Sequence, residues 1–198
     1  MSAPVVSVVI PNWNGRKFLV KMLPSLKAQT FRDFETIVVD NGSTDGSVEY
    51  LRTEWPEIVV DPVGKNIGFA GGSNRGIQAA KGKYIALLNN DLELDRKWLE
   101  VMVKTLESHP EAGSAGGKLM NFTKRNQFDG AGVLVSWYGE FTKRGAFEQD
   151  TGQYDKAEWL FGVNAAAIMY RKELFDAVGL FDETYFANFA HNYLTNTQ

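Results

Sequence analysis

The apolar run Tyr84–Leu88 ends abruptly in three polar residues, Asn89, Asn90 and Asp91. Carboxylate and amide oxygens are hard ligands, which suit Mg²⁺ or Mn²⁺ better than zinc. Because one carboxylate alone makes a weak metal site, we expect the phosphates of a diphosphate substrate to complete the coordination. Such a metal would act as a Lewis acid on a departing diphosphate. Asp91 and Asn89 are therefore the predicted ligands of a divalent metal.

Three other apolar runs also end in polar residues. Residues 5–10 precede Pro11-Asn12-Trp13-Asn14, residues 35–39 precede Asp40-Asn41-Gly42-Ser43, and residues 57–60 precede Asp61, Lys65 and Asn66. Turn and capping chemistry explains any one of these loops about as well as ligand binding does. In a parallel sheet, however, the carboxyl ends of the strands line a common crevice. Polar residues after all four runs favour a binding site at that edge.

The elements that must position these loops alternate between strand and helix. Residues 5–10, 35–39, 57–60 and 84–88 are predicted strands, with Pro11 ending the first. Predicted helices cover residues 18–26, 48–53, 71–80 and a stretch from Asp95, as N-cap, to about His109, and Pro24 should kink or divide the first. The alternation predicts an α/β fold with a mainly parallel, Rossmann-like sheet flanked by helices.

The second half of the chain is less regular and richer in glycine and aromatic residues. Strands are expected at residues 133–137 and 158–170, followed by a helix at 171–178 that stops at Gly179. We find no internal repeat and no clean boundary. The expectation is therefore one domain over residues 1–198, with a nucleotide-binding half at about 1–112 and a substrate-side half at about 113–198.

Composition narrows the class of protein. The 198 residues are 44% apolar and 23% charged, which is typical of one globular domain. The absence of cysteine excludes disulfides, a thiol nucleophile and cysteine-ligated zinc. A net charge of −3 with interspersed acids and bases argues against a nucleic acid polymer as partner. Since no run approaches the ~18 apolar residues of a membrane span, we expect a cytoplasmic protein, with peripheral contact to a membrane left open.

The glycine-rich segment NIGFAGGSNRG, residues 66–76, invites a dinucleotide-binding interpretation. Its glycines do not match G-x-G-x-x-G, and the segment does not follow the first strand, where that motif belongs. A helix start packed closely on the sheet and a direct ligand contact both remain open.

Seven segments, in order along the chain, resemble the inverting glycosyltransferase family 2 of the GT-A fold, especially its rhamnosyltransferase-like members. They are VSVVIPNWNG, SLKAQTF, ETIVVDNGSTDGS, NIGFAGGSNRGI, KGKYIALLNNDLEL, GVNAAAIMYR and GLFDETYF. The resemblance implies a nucleoside-diphosphate-sugar donor, a divalent metal, Mg²⁺ or Mn²⁺, and transfer with inversion to the hydroxyl of a glycan or lipid-linked acceptor. It also implies a place in cell-wall or polysaccharide biosynthesis.

The resemblance assigns roles to individual residues. The nucleotide-sugar contacts would be Pro11, Asn12, Asn14, Asp40, Asn41, Asn66, Asn74 and Asn90. Asp40 would bind the base, and Asn89-Asn90-Asp91 occupies the D-x-D position of the family, with Asp91 as the surviving metal ligand. Within residues 161–164, Gly162 and Asn164 would border the acceptor.

The chain departs from the family pattern at two places. Ser73 stands where many relatives carry an arginine, so a phosphate or ribose contact is expected to be missing. Where relatives have a Glu-Asp pair, whose Asp is the general base, this chain has Ala190 and His191. His191 becomes the candidate catalytic base, because an imidazole accepts protons near neutral pH. Alternatively, His191 is an exposed residue in the tail of the chain and has no catalytic role. Relatives commonly continue beyond the position of Gln198.

Two alternatives to an active glycosyltransferase follow. The first is a catalytically impaired nucleotide-sugar-binding module, which the missing Glu-Asp pair and the short C-terminus favour. The second is a sugar-phosphate nucleotidyltransferase, which would need a glycine-rich first loop with arginine or lysine, unlike Pro11-Asn12-Trp13-Asn14-Gly15. The sequence specifies neither the sugar, the nucleobase, the acceptor nor the oligomeric state.

Overall fold

A six-stranded sheet organises the computed structural model, which describes residues 3–186. The elements in chain order are β1 (Val6–Asn12), α1 (Arg16–Lys27), β2 (Phe34–Asp40), α2 (Ser47–Glu54), β3 (Val59–Pro62), α3 (Gly68–Ala79), β4 (Tyr84–Leu88), α4 (Trp98–Ser108), β5 (Ser114–Gly116), β6 (Leu119–Met120), β7 (Phe128–Gly130), β8 (Val133–Val135), β9 (Phe141–Lys143), β10 (Ala167–Arg171) and α5 (Lys172–Val178). The sheet has the order β3-β2-β1-β4-β10-β5, while β6 pairs with β7 and β8 with β9.

The sheet is mainly parallel. β1 pairs in parallel with β2 and β4, and β2 pairs in parallel with β3. β10, between β4 and β5, runs antiparallel to both of these strands. The predicted α/β fold is confirmed, and the parallel register places Asn12 directly beside Asp40 at the carboxyl ends of β1 and β2.

Each face of the sheet buries its own apolar cluster, because successive strand residues point to opposite faces. On one face Val8 packs with Leu19 of α1 and Leu99 of α4. On the other face Val9 packs with Ile77 of α3. Each such fully buried aliphatic side chain stabilises the fold by roughly 1.5–3 kcal/mol. Helices on both faces therefore hold the strands, and the strand ends, in fixed positions.

Helix α3 approaches the sheet closely through its glycines. A Cβ on Gly76 would lie 2.2 Å from Cγ1 of Val9, and one on Gly72 would lie 3.0 Å from Nδ2 of Asn41. Such contacts leave no room for a side chain. The glycine-rich segment is therefore a helix start packed on the sheet, one of the two interpretations left open by the sequence.

Strand β1 continues through Pro11, contrary to the expectation that the proline ends it. The carbonyl of Asn12 accepts a hydrogen bond from the amide of Asn41 on the β2 side, at 2.8 Å. Pro11, one residue earlier, therefore points towards β4, but the pairing with β4 stops at Val9. Because no ladder bond is required of Pro11 on that side, its missing N–H costs nothing there.

Helix α1 is likewise continuous across Pro24 and is not divided. The carbonyl that loses its partner belongs to Val20, four residues earlier. Val20 is 47% exposed, so water can replace the lost bond.

Several predicted boundaries were wrong. The long strand expected at residues 158–170 is reduced to β10, since residues 158–166 contact no continuous partner strand apart from a single bridge between Val133 and Gly162. Asp95 is not an N-cap: it accepts the amide of Lys97 at 2.8 Å in a turn before α4 begins. The predicted strand at 133–137 ends at Val135 because the chain turns there towards β9. Strand β3 and helix α3 are displaced by two or three residues from their expected starts.

None of the helices in the described part of the chain is both long enough and apolar enough to cross a membrane.

Candidate functional site

The carboxyl ends of β1, β2 and β4 meet in one hydrogen-bonded group of side chains. Asn12 donates through Nδ2 to Oδ2 of Asp40 at 3.0 Å and accepts through Oδ1 from Nδ2 of Asn90 at 2.8 Å. The side chain of Asn12 therefore joins the loop after β2 to the loop after β4. The structure brings together three residues that the sequence analysis had predicted as neighbours at this edge.

Asp40 is 1% exposed, and both of its carboxylate oxygens accept a donor from the protein. Besides Asn12, the amide of Ser43 donates to Oδ1 at 2.9 Å. A carboxylate that accepts two internal hydrogen bonds fixes the loop that supplies them. In this structure Asp40 therefore shapes the edge of the site and does not present an open oxygen to solvent.

The first and second loops are also joined through Asn14, whose backbone has a positive φ of 49°. Its amide donates to Oγ of Ser43 at 2.9 Å, and its Oδ1 accepts from the amide of Thr44 at 2.8 Å. Next along the chain, the amide of Arg16 donates to Asp45 at 2.8 Å. Burial alone would raise the pKa of Asp45, but hydrogen bonds from Ser47 and Arg16 lower it overall. Both loops are therefore preorganised.

The sequence analysis assigned no role to Trp13, which follows β1 directly. Its side chain is 57% exposed at the edge where Asn12 and Asn14 lie. An exposed indole face is suited to stack on a flat ring such as a nucleobase. A large aromatic residue within an otherwise polar strand-end loop was the signal that could have identified it.

Asp91 and Asn89 have oxygen atoms available for a metal. Asp91 is exposed, and within residues 3–186 neither side chain makes a hydrogen bond, while the backbone amide of Asn89 donates to the carbonyl of Ala166 at 2.9 Å. No group of three or more His, Cys, Asp or Glu side chains suited to a metal occurs among the described residues. This donor set fits Mg²⁺ or Mn²⁺ that takes its remaining ligands from phosphates, and it does not fit a fully protein-coordinated metal.

Asn41 and Asn66 both contact the start of α3. Oδ1 of Asn66 accepts from the amide of Gly68 at 2.9 Å, and Nδ2 of Asn41 donates to the carbonyl of Gly68 at 2.9 Å. Oδ1 of Asn41 is buried and has no partner within residues 3–186. Leaving such an acceptor unpaired costs about 1–3 kcal/mol. Asn41 thus offers one unsatisfied acceptor beside Asp40. Pro11, also predicted to contact the nucleotide, is buried and faces Gly72.

Asn74, predicted to contact the donor, forms hydrogen bonds with a segment of the chain that is distant in sequence. Its Nδ2 donates to the carbonyl of Phe181 at 2.8 Å and to Glu183 at 3.0 Å, and its Oδ1 accepts from the amide of Phe181 at 2.9 Å. The neighbouring Ser73 is fully buried. These two residues of α3 therefore face the protein interior in the described structure.

Residues 181–186 extend along α3 from its second turn to its beginning. At the end of this segment the carbonyl of Phe186 accepts from the amide of Phe69 at 2.6 Å. Because α3 begins beside the loop after β2, Phe186 lies near the edge that carries Asn41. Ala190 and the candidate base His191 lie outside the described residues.

The predicted acceptor side borders the end of β4. The carbonyl of Gly162 accepts from the amide of Val133 at 2.8 Å, and Ala166 contacts Asn89 as described above. Asn164, between them, is 9% exposed, and its Nδ2 has no partner in the described part of the chain. Gly162 and Asn164 therefore lie on the segment that leads to the candidate metal ligands.

A separate cavity of about 240 Å³ lies at the amino end of β4, where Lys83, Arg171 and Lys172 line it. Arg171 donates to the carbonyls of Ala112, at 2.8 Å, and Leu106, and Lys172 donates to the carbonyl of Ala80 at 2.6 Å. Because these cations already have internal partners and the cavity is remote from the strand ends, we do not consider it part of the site.

Comparison with protein families identifies one match. The model described as "Glycosyl transferase family 2" matches residues 7–179. Among curated proteins, the chain is 29% identical over 193 residues to the O-antigen biosynthesis protein RfbC of Myxococcus xanthus, covering 92% of this chain and 15% of that protein. It is 28% identical over 182 residues to the glycosyltransferase GlyG of Streptococcus pneumoniae, covering 88% of this chain and 59% of GlyG. The chain thus spans only part of the length of these relatives.

Among solved structures, the chain is similar to the mannosyltransferase PcManGT from Pyrobaculum calidifontis in complex with GDP-Man and Mn²⁺. The TM-score is 0.66 at 19% sequence identity, and the likeness covers 96% of this chain and 51% of that chain. At this identity the likeness shows the fold.

Proposed function

The chain belongs to glycosyltransferase family 2 and has the GT-A fold, and we propose that its carboxyl sheet edge binds a nucleoside-diphosphate sugar for inverting transfer to a hydroxyl acceptor. The observation that carries the proposal is the side-chain group Asn12, Asp40 and Asn90, which joins three strand ends directly beside the uncommitted carboxylate of Asp91. Preorganised polar groups of this kind at the carboxyl edge of a parallel sheet are typical of nucleotide sites.

The nucleoside would bind on the side of β1 and β2. Trp13 supplies an exposed aromatic face, and Oδ1 of Asn41 supplies an acceptor that has no partner in residues 3–186. A base or ribose donor to Asn41 would remove the cost of that unpaired atom. Asp40 would act by holding Asn12 and Ser43 in place.

The diphosphate would lie towards the end of β4. Asp91 and Asn89 would hold Mg²⁺ or Mn²⁺, which, when bound, would stabilise the negative charge of the departing diphosphate. The similar mannosyltransferase structure contains Mn²⁺ and GDP-Man, which supports the choice of metal and of ligand class. The name of RfbC supports an acceptor in polysaccharide synthesis.

Calorimetry with UDP, GDP and dTDP, each with and without Mn²⁺, tests this proposal. We expect Mn²⁺-dependent binding of at least one nucleotide, and Asp91→Ala should abolish the Mn²⁺ dependence while the protein stays folded. The matched control is Asp33→Ala, which removes an exposed carboxylate just before β2, at the opposite edge of the sheet. Equal heats with and without Mn²⁺ in the unmodified protein would exclude the metal role.

Transfer also needs a base that reaches the acceptor hydroxyl, and a positioned base contributes about 10²–10⁴ in rate. Ala190 cannot accept a proton, so we expect turnover below about 1 s⁻¹, the lower end of typical enzymatic rates. Donor turnover should rise in the double variant Ala190→Glu, His191→Asp. The second candidate function, a binding module without activity, is favoured if the double variant gains nothing. A turnover of the unmodified chain above that rate, lost in His191→Ala, would establish His191 as the base.

A further inference from the structure

An exposed aromatic surface lies on the hairpin of β8 and β9 and on the segment beside it. We define the aromatic hairpin surface as Val135, Trp137, Tyr138, Phe141 and Phe161. Trp137 is 95% exposed, Phe161 69% and Tyr138 64%. Val135 lies opposite Phe141 in the hairpin, and the rings of Phe141 and Phe161 are 5.9 Å apart. Exposed apolar side chains grouped on one hairpin and on the segment beside it mark a binding surface.

The cations next to this surface are already neutralised. Lys143 donates to Asp129 at 2.7 Å and Arg144 donates to Glu158 at 2.5 Å, both at the base of the hairpin. An anionic lipid surface or a nucleic acid attracts proteins through free positive charge. Because these basic groups are paired, the surface favours an uncharged partner.

A short segment of the chain connects this surface to the candidate active site. From Phe161 the chain passes Gly162, which pairs with Val133, and Asn164, and then reaches Ala166, whose carbonyl accepts from the amide of Asn89 at 2.9 Å. Nδ2 of Asn164 is buried and has no partner within residues 3–186. An oxygen-rich ligand would supply the acceptor that this donor lacks. Residues 161–166 thus connect Phe161 of the aromatic hairpin surface to the strand end that carries Asn89 and Asp91.

We propose that the aromatic hairpin surface binds the acceptor as an uncharged carbohydrate chain and leads its hydroxyl to the donor site. Sugar rings have C–H faces that pack on aromatic rings, and their oxygens match the free donor of Asn164. This inference rests on the proposed function, because it assigns the acceptor class to that site.

The test uses the whole chain on a printed array of neutral and anionic glycans, followed by calorimetry with the best soluble ligand. Trp137→Ala and Phe161→Ala should each weaken binding about tenfold or more, as expected for an aromatic anchor. Trp159→Ala is the matched control: it is 66% exposed, but its ring packs edge-on against His109 at 5.9 Å. Its affinity should equal that of the unmodified protein.

Three results would overturn the inference: no neutral glycan bound, equal affinity in all variants, or flotation with phosphatidylcholine and phosphatidylglycerol vesicles that depends on Trp137. The nucleotide calorimetry described above is performed on the same variants. Nucleotide binding without glycan binding would refute this inference and leave the proposed function intact. Glycan binding lost in Trp137→Ala, without any nucleotide binding, would support the surface and refute the donor site.

Discussion

Asp40 shows, at the scale of one residue, how a strand-end carboxylate organises a site without facing solvent. Its two oxygens accept from Asn12 and from the amide of Ser43. The residue type and its place after an apolar run were sufficient to predict that it lies at the carboxyl edge of the sheet beside Asn12. Its burial to 1% exposure was not predictable, because burial depends on the loops that fold over it.

We expect Asp40→Asn to lower the free energy of unfolding by about 1–3 kcal/mol, because the new amide group must oppose one of the two donors. Nucleotide binding should weaken as well, since Asn12 loses its fixed position. Urea denaturation measures the first effect and calorimetry the second. Asp33→Asn, at an exposed position, is the control. Unchanged stability and unchanged affinity in Asp40→Asn would reduce Asp40 to an ordinary turn residue.

At the scale of elements, the first, second and fourth strands of the chain were predictable because each contains a run of apolar residues bounded by polar ones, and in the first two strands most of these residues are β-branched. Strand β10 was not delimited correctly, because its extent depends on its neighbours β4 and β5, not on its own composition. The continuation of β1 through Pro11 has a similar cause, since it depends on where β4 stops pairing.

The partners of Asn74 were also beyond the sequence, because Phe181 is 107 residues away. Asn74→Ala removes the side chain that donates to the carbonyl and accepts from the amide of Phe181, so we expect the free energy of unfolding to fall by about 1–3 kcal/mol. Amide hydrogen exchange of peptides covering residues 181–186 should become about tenfold faster or more. Arg75→Ala is the control on the same helix, because its exposed ion pair with Asp61 contributes little. Exchange at the rate of the unmodified protein would show that Asn74 does not hold this segment.

At the scale of the whole molecule, alkaline pH is expected to destabilise the fold through Tyr170. Burial in the cluster with Phe175 and Phe181 raises the pKa of Tyr170 above its ordinary value of 10.0. Above about pH 10 the unfolded chain therefore releases this proton while the folded chain keeps it, and the free energy of unfolding falls as the pH rises.

Tyr170→Phe should remove this contribution, which amounts to at most about 1.4 kcal/mol per pH unit. Denaturation midpoints between pH 9 and 11 measure it. Below pH 9 the free energy of unfolding should depend on pH in the same way for Tyr170→Phe and for the unmodified protein, whatever their absolute stabilities. Parallel pH dependences of both proteins over the whole range would contradict the assignment.

The position of β10 in the sheet also has a consequence for synthesis of the chain. β4, which is buried along its whole length, pairs on one side with β10, which is translated about 80 residues later. At ~5–20 residues per second, a ribosome takes seconds to deliver it. During that interval a nascent chain has an unpaired, fully apolar strand edge of the kind that promotes aggregation. We therefore expect chaperones to bind mainly those nascent chains in which β4 has been synthesised and β10 has not.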